Sequence, residues 1–168
     1  MFISLLLLVA LVQAPEKQTI AGAENVTRVD AAVMCGGATT PEAFPAIKKG
    51  GFTSIINLRR ETEPGVDVPA ARQAAEAHGL KYIHIPVDPA KPSTESVDAF
   101  LKAVADSANQ PMYIHCGSAN RVAALWLIKR VAVDGWDIPR ATGEAKAIGL
   151  TSPALERFAL EYVKSIKR

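Results

Sequence analysis

Apolar and polar positions along the chain form short blocks that predict strands and helices in alternation. Four runs rich in β-branched and aromatic residues predict strands over residues 31–34, 53–58, 80–87 and 112–115. Apolar spacing and breaker residues predict helices over residues 40–49, 68–78, 94–108, 121–133, 139–148 and 153–167. Such alternation is typical of the α/β class, and it predicts a three-layer αβα fold around a mostly parallel sheet of four to five strands.

Several polar or glycine-rich segments follow predicted strands directly. They are the segment Cys35-Gly36-Gly37, the turn beginning Arg59-Arg60, the loop at Asp88 and the loop at Cys116. Ligands of parallel sheets bind beyond the carboxyl ends of the strands. We therefore expect one edge of the sheet to gather all four segments, provided that none of these strands runs antiparallel.

Composition narrows the class of protein without identifying it. The chain has 168 residues, of which 49% are hydrophobic and 21% are charged, so it is long enough for one well-buried domain. The net charge of +2 is spread along the sequence, and aromatic residues make up 6%. Neither nucleic acid nor an anionic membrane surface is therefore predicted as a partner.

The first residues differ from the rest of the chain. Residues 2–12 are almost continuously apolar, but a spanning helix needs about 20 such residues, so no stable membrane span is predicted. The run is typical of a secretory signal. We expect a signal peptide and leader over residues 1–23, one domain over 24–168, and a periplasmic or secreted location. An uncleaved anchor and a misassigned start are the alternatives.

The segment from His115 to Arg121, His-Cys-Gly-Ser-Ala-Asn-Arg, carries the clearest chemical signal. A cysteine at a strand end, followed by small residues and an arginine that opens a helix, predicts a loop whose N–H groups converge on an anion. The candidate anion-binding residues are Gly117, Ser118, Ala119, Asn120 and Arg121. The helix terminus and Arg121 favour Cys116 as a nucleophilic thiolate, with His115 as a tuning group. The alternative is a structural cysteine before an ordinary helix.

The other candidate residues each have a structural interpretation too. His115 either tunes the loop or is a core histidine, and the charged turn over residues 59–63 either frames the site or is solvated. Cys35 either forms a reversible disulfide that protects Cys116 or fills the end of its strand. The three histidines lack ligand spacing, so neither a metal nor a cofactor is predicted.

Four ordered motifs together resemble a known family. They are residues 35–42, Cys-Gly-Gly-Ala-Thr-Thr-Pro-Glu; residues 51–59, Gly-Phe-Thr-Ser-Ile-Ile-Asn-Leu-Arg; residues 84–87, His-Ile-Pro-Val; and the Cys116 segment. Over about residues 26–133 the chain resembles the bacterial beta-lactamase-hydrolase-like phosphatase domain, within the dual-specificity, protein-tyrosine-phosphatase-like superfamily. The resemblance implies a cysteine-dependent phosphatase acting on a phosphorylated protein or small molecule.

The resemblance also implies roles for individual residues. Cys116 would be the nucleophile, Arg121 would hold the phosphate bidentately, and Asp88 would be the general acid, although Asp-Pro is also a common turn opening. Four residues separate Cys116 from Arg121, one fewer than in most tyrosine phosphatases, and Val122 stands where those enzymes have Ser or Thr. A rhodanese-like sulfurtransferase and an inactive anion- or partner-binding module therefore stay open.

Overall fold

A six-stranded mixed sheet organises the domain in the computed structural model, which describes residues 14–166. The strand order across the sheet is β1-β2-β3-β6-β4-β5. The strands are β1 (Glu16–Ile20), β2 (Ala23–Arg28), β3 (Val33–Gly36), β4 (Ser54–Asn57), β5 (Lys81–His84) and β6 (Met112–His115). The helices are α1 (Phe44–Lys49), α2 (Val68–Ala77), α3 (Thr94–Ala105), α4 (Asn120–Ala132), α5 (Ile138–Ile148) and α6 (Pro153–Ile166). Short 3-10 turns cover Pro41–Ala43 and Ser107–Asn109.

The four predicted strands form the parallel part of this sheet. β3 pairs with β6, β6 with β4, and β4 with β5, all in parallel register. Their carboxyl ends therefore meet at one edge, which confirms the expectation that the segments after these strands converge. The predicted class, an αβα fold with a mostly parallel sheet, is also confirmed.

Side chains of β6 alternate between the two hydrophobic layers. Met112 and Ile114 join a core formed with α3, α4, α5 and α6, whereas Tyr113 packs into a second core with α1 and α2. Gly36, opposite His115 on β3, leaves room for the Tyr113 ring, since a Cβ there would lie 2.1 Å from the Tyr113 hydroxyl oxygen. The alternation places Cys116 and His115 on opposite faces of the sheet.

The hairpin of β1 and β2 is the main feature that the sequence pattern does not reveal. It extends the sheet antiparallel beyond β3, which gives six strands where four to five were predicted. β1 is exposed along most of its length and carries charged residues, so it has no apolar alternation to detect. The sheet thus begins at Glu16, upstream of the predicted domain start at residue 24. The apolar run itself lies outside the described residues.

Helix α4 is the central helix of the larger core, as its apolar composition predicts. Nine of its side chains are buried, including those of Val122, Trp126 and Ile128. The helix begins directly after the Cys116 loop, so its positive end faces that loop. Among the described residues, no helix is both long and apolar enough to cross a membrane.

Candidate active site

Cys116 lies where β6 ends, at the sheet edge that the topology predicts. Its N–H donates to the carbonyl oxygen of Gly36 at 3.2 Å, which joins the loop to the end of β3. The residue has no exposed surface. The thiol is therefore fully buried in this conformation.

The loop after Cys116 has the backbone geometry of an anion site. Ala119 adopts the left-handed conformation, with φ of 69° and ψ of −10°, and α4 starts at Asn120 without a side-chain cap. Ser118 forms an isolated antiparallel bridge with Gly37, which joins the loop to the end of β3. Within residues 14–166, the N–H groups from Gly117 to Arg121 outside this bridge make no hydrogen bond to another protein group. These donors remain available for an oxyanion at the helix N-terminus.

The guanidinium of Arg121 is held over this loop by Glu63, which precedes α2. Nη1 and Nη2 of Arg121 donate to the two carboxylate oxygens of Glu63 at 2.5 and 2.9 Å. Nη1 also donates to the carbonyl oxygens of Leu58 and Val87 at 3.3 and 3.0 Å. The Nη1–Nη2 edge is thus occupied. A guanidinium can also bind an anion bidentately through Nε and Nη2. Within residues 14–166, no oxygen atom accepts a hydrogen bond from Nε of Arg121, so this second edge is open to an anion.

Charge outweighs burial in setting the pKa values of this pair. Hydrogen bonding to Arg121 lowers the pKa of Glu63 from 4.5 to about 2, against the opposing effect of burial. Burial acts to lower the pKa of Arg121, but the Glu63 carboxylate outweighs it and raises that pKa, with a further contribution from the nearby Cys116 thiol. Both groups are therefore ionised at neutral pH. Glu63 is committed to the ion pair and unsuited to donate a proton.

Glu63 is the site residue that the sequence motifs miss. The sequence gives two interpretations of the charged turn over residues 59–63: it either frames the site or is solvated. In the structure, the Glu63 carboxylate connects this turn to Arg121. Arg59 also donates to Glu63 from its Nε at 3.2 Å, and the Arg60 N–H donates at 2.8 Å. A buried arginine is rarely left without a counterion, and that rule is the signal that points to a nearby acid.

Asp88 lies beside the site, because the carbonyl of the preceding Val87 accepts from Arg121. One Asp88 oxygen accepts from the N–H of Ala90 at 2.9 Å, so the side chain forms the turn that the Asp88-Pro89 sequence predicts. The other accepts from Nη1 of Arg60 at 3.0 Å. The side chain is 40% exposed. Acid catalysis by Asp88 requires that it leave Arg60, and this role stays a prediction.

His115 lies on the opposite side of the sheet from the Cys116 thiol. Burial, with a contribution from Arg59, lowers the pKa of His115 to about 3, so the ring is neutral. A protonated imidazole therefore does not help to form the thiolate. The ring stacks on Tyr113 at 5.9 Å between centroids, and within the described residues neither ring nitrogen has a hydrogen-bond partner. His115 also lines a cleft of about 90 Å³ with Thr39, Asn57, Arg59 and Tyr82, outside the Cys116 loop.

Cys35 lies on the same face of the sheet as Cys116 but not directly opposite it. Both cysteines are free and buried. Cys35 is paired with Ile114, so Cys116 is two residues farther along the neighbouring strand. Strand geometry then separates the two Cα atoms by about 8 Å, beyond the roughly 7 Å that a disulfide spans. Burial raises the pKa of Cys35 well above its ordinary value. The proposed disulfide therefore requires a movement of the loop.

The Asn120 side chain is used to hold the loop. Its Oδ1 accepts from the N–H groups of Thr151 and Ser152, both at 2.7 Å, and its Nδ2 donates to the Ser118 hydroxyl at 3.2 Å. Asn120 thereby ties the loop to the connection between α5 and α6. Only its backbone N–H is left for an anion. In the described part of the chain, no cluster of His, Cys, Asp and Glu could hold a metal ion.

A phosphatase family model matches residues 8–138, a span that includes the Cys116 loop, Glu63 and Asp88. Its description is a DSP-PTPase phosphatase fused to NAD+ kinase. The chain belongs to this phosphatase family. This result confirms the superfamily that the sequence motifs indicate. Membership of this family places the chain among the phosphatase-type hydrolases.

Curated relatives of this DSP-PTPase domain are much longer proteins. The beta-lactamase hydrolase-like protein of Agrobacterium fabrum is 31% identical over 113 residues, which is 66% of this chain and 26% of that protein. NAD kinase 2 of Arabidopsis thaliana, a chloroplastic protein, is 32% identical over 82 residues, or 48% of this chain and 8% of that protein. The chain thus spans about a quarter of the first relative and less than a tenth of the second.

Solved structures show the same fold at low sequence identity. A putative phosphatase from Shewanella putrefaciens has a TM-score of 0.72 at 19% identity, covering 86% of this chain and 92% of the other. The catalytic domain of the PP-IP phosphatase SIW14 from S. cerevisiae has a TM-score of 0.69 at 18% identity, covering 88% and 93%. P. aeruginosa TpbA, in complex with pTyr, has a TM-score of 0.67 at 16% identity, covering 89% and 88%. At these identities the likeness shows the fold alone.

Proposed function

We propose that this domain hydrolyses a phosphate monoester through a phosphoenzyme on Cys116. The observation that carries the proposal is the Arg121–Glu63 pair, which fixes a buried guanidinium beside a cysteine and an uncapped helix N-terminus. A purely structural cysteine needs neither a fixed arginine nor an uncapped helix N-terminus beside it. The arrangement is suited to a doubly charged oxyanion with several oxygens to satisfy.

The chemistry divides into two displacements at phosphorus. The Cys116 sulfur attacks in line, forming an S–P bond as the P–O bond to the leaving group breaks. The N–H groups of residues 117–121 and the free edge of Arg121 stabilise the equatorial oxygens. Water then attacks the phosphocysteine, which breaks the S–P bond, returns the thiolate and releases inorganic phosphate.

Asp88 would protonate the leaving alkoxide in the first step and accept a proton from water in the second. Its ion pair with Arg60 must open first. Because Val87 is bound to Arg121, a rearrangement of Arg121 on binding phosphate would be transmitted directly to the next residue, Asp88. Loop closure that brings an acid to the substrate is a common catalytic step.

A sulfurtransferase is the second candidate, and the shorter loop favours it. Only four residues separate Cys116 from Arg121, and buried Val122 offers no hydroxyl to assist the thiolate as a leaving group. In that reaction the Cys116 thiolate takes the outer sulfur of thiosulfate as a persulfide and releases sulfite. Cyanide then removes the sulfur as thiocyanate and restores the thiolate. No general acid is needed.

Parallel assays distinguish the candidates. The full chain and its Cys116→Ser variant are incubated with an aryl phosphate, and separately with thiosulfate plus cyanide. The proposal predicts phosphate release by the wild type only. Thiocyanate without phosphate would favour sulfur transfer, and neither product would indicate an anion- or partner-binding module. Substrate class then follows from comparing a phosphotyrosyl peptide, a phosphoseryl peptide and small phosphate esters.

We also propose that the domain acts after export, in the periplasm or outside the cell. The support is the apolar run over residues 2–12, together with two small-residue exits where a signal peptidase could cleave, Val12-Gln13-Ala14 and Ala21-Gly22-Ala23. The second small-residue exit, Ala21-Gly22-Ala23, lies in the turn between β1 and β2, so cleavage there would remove β1, whereas cleavage after Ala14 would keep it. Fractionation of a Gram-negative host that expresses the chain, with intact-mass measurement, tests both points.

A further inference from the structure

Asn25 of β2 contacts the anion loop beside Gly149, at the end of α5. Its side-chain Nδ2 donates to the carbonyl oxygen of Ser118 at 3.3 Å, and its Oδ1 accepts from the ammonium of Lys17 at 2.6 Å. Asn25 has a positive φ of 47°, a conformation that Asn adopts more readily than most residues. The contact joins the N-terminal hairpin to the loop across 93 positions in the sequence.

This contact fixes the direction of one peptide in the loop. The carbonyl and N–H of a trans peptide point in opposite directions. Since the Ser118 carbonyl faces Asn25, the Ala119 N–H faces the opposite way. The left-handed conformation of Ala119 is the kind that brings successive N–H groups together into an anion-binding concavity.

The loop conformation needs such support because Ala119 is not glycine. A left-handed alanine costs about 1–2 kcal/mol, which glycine avoids. The surroundings are built closely around it: a Cβ at Gly149 would lie 3.1 Å from the Ala119 Cβ and 2.6 Å from Asn25 Nδ2. Gly149, with φ of 142°, leaves room for both side chains. Asn25, Ala119 and Gly149 thus pack as one unit.

We infer that Asn25 is a positioning residue of the phosphate cradle, which it holds in its anion-binding form by binding the Ser118 carbonyl. The inference rests on the proposed function and adds to it. The hairpin that the sequence pattern does not reveal is then part of the catalytic apparatus. Asn25 itself does not touch the substrate, so its effect must appear in oxyanion affinity and in kcat rather than in global stability.

The test compares Asn25→Gly with Glu24→Gly. Glycine tolerates the positive φ at position 25, and Glu24 is an exposed neighbour in the same strand whose side chain forms no hydrogen bond within residues 14–166. Tungstate affinity is measured by calorimetry, and kcat and KM are measured with an aryl phosphate. Asn25→Gly should weaken tungstate binding about three- to tenfold relative to Glu24→Gly, the effect of one positioned hydrogen bond, with unfolding midpoints alike.

Coupling to Ala119 provides a second readout. In an Ala119→Gly background the loop needs less support, so the loss of affinity caused by Asn25→Gly should shrink. Equal tungstate affinity in Asn25→Gly and Glu24→Gly, or an undiminished loss in the Ala119→Gly background, would overturn the inference. If Asn25→Gly does not fold, Asn25→Asp replaces it, since Asp tolerates the same φ and lacks the donor.

The outcomes separate this inference from the proposed function. Wild-type protein that binds tungstate but hydrolyses no phosphate ester would contradict the phosphatase mechanism, and an Asn25 effect on binding would still stand. Wild-type protein that hydrolyses the ester with no Asn25 effect would reject the role of Asn25 alone. Failure of the wild type to bind any oxyanion would reject both.

Discussion

Replacing Glu63 with glutamine removes the negative charge that orients Arg121 while nearly preserving the size of the side chain. The amide offers one acceptor oxygen, and its NH2 group faces a guanidinium that can only donate. The arginine, 6% exposed, would keep the carbonyl oxygens of Leu58 and Val87 as acceptors but lose its counterion. Both the fold and the site should therefore be affected.

Two estimates bound the cost of this substitution. The shift of the Glu63 pKa from 4.5 to about 2 corresponds to about 3 kcal/mol at full value. Solvent at a side chain that is 16% exposed reduces this figure. Breaking a fully buried pair costs about 3–5 kcal/mol, which is an upper limit here. We expect a loss of about 2 kcal/mol at pH 7, and up to about 100-fold in kcat/KM from a displaced Arg121.

The pH dependence of the effect has a definite sign. The pKa of Glu63 is lower in the folded state, so its stabilising contribution is present above about pH 4.5 and is lost as the pH falls toward 2. Urea unfolding, followed by tryptophan fluorescence at pH 7 and pH 3, should show a difference between wild type and Glu63→Gln that shrinks with acid. Glu61→Gln is the matched control, because the Glu61 side chain is 73% exposed and its carboxylate lies 3.8 Å from Nδ1 of His84 and not beside Arg121. If Glu63→Gln matched Glu61→Gln in stability and rate, the account of Arg121 would be refuted.

Three further substitutions test other parts of the account. Arg121→Lys should lower kcat/KM by about 10²–10³-fold, since a point charge cannot replace the planar fork, and equal rates would exclude bidentate binding. Asp88→Asn should slow hydrolysis of an alkyl phosphate by about 10²–10⁴-fold but affect an activated aryl phosphate less; equal losses would mean that Asp88 only forms the turn. Arg130→Met should destabilise the fold by about 3 kcal/mol in urea unfolding, because it leaves buried Glu144 without its charge partner. Its kcat should stay unchanged, since Arg130 lies at the far end of α4, and a reduced kcat would show that this end of the helix affects the site.

The parallel half of the fold is predictable because three of its four strands are fully buried. β3, β4 and β6 have no exposed residue, so they read as short apolar runs between glycines and prolines, and the order of elements then determines one active edge. β1 is polar and exposed, and its position depends on pairing with β2 and not on its own pattern. No local signal in the sequence distinguishes such a strand from a loop.

The site was predictable as far as its local motif extends. Cys116 and Arg121 belong to one short segment whose residue types and spacing predict an anion-binding loop, and the structure brings them together. Glu63 and Asn25 reach the same loop across 58 and 93 sequence positions, and each stands among other polar residues of similar appearance. Their roles follow from burial of Arg121 and from the left-handed Ala119, neither of which the sequence shows by itself.

Detection of a covalent intermediate on Cys116 would decide whether hydrolysis proceeds through a phosphoenzyme. The full chain is mixed with excess aryl phosphate, quenched in acid after single-turnover times, digested, and mapped by mass spectrometry, with Cys116→Ser treated in parallel. A phosphoenzyme mechanism predicts a phosphoryl group on the peptide that contains Cys116, formed before phosphate release and absent from the variant. Phosphate release with no adduct at Cys116, or undiminished release by Cys116→Ser, would contradict it.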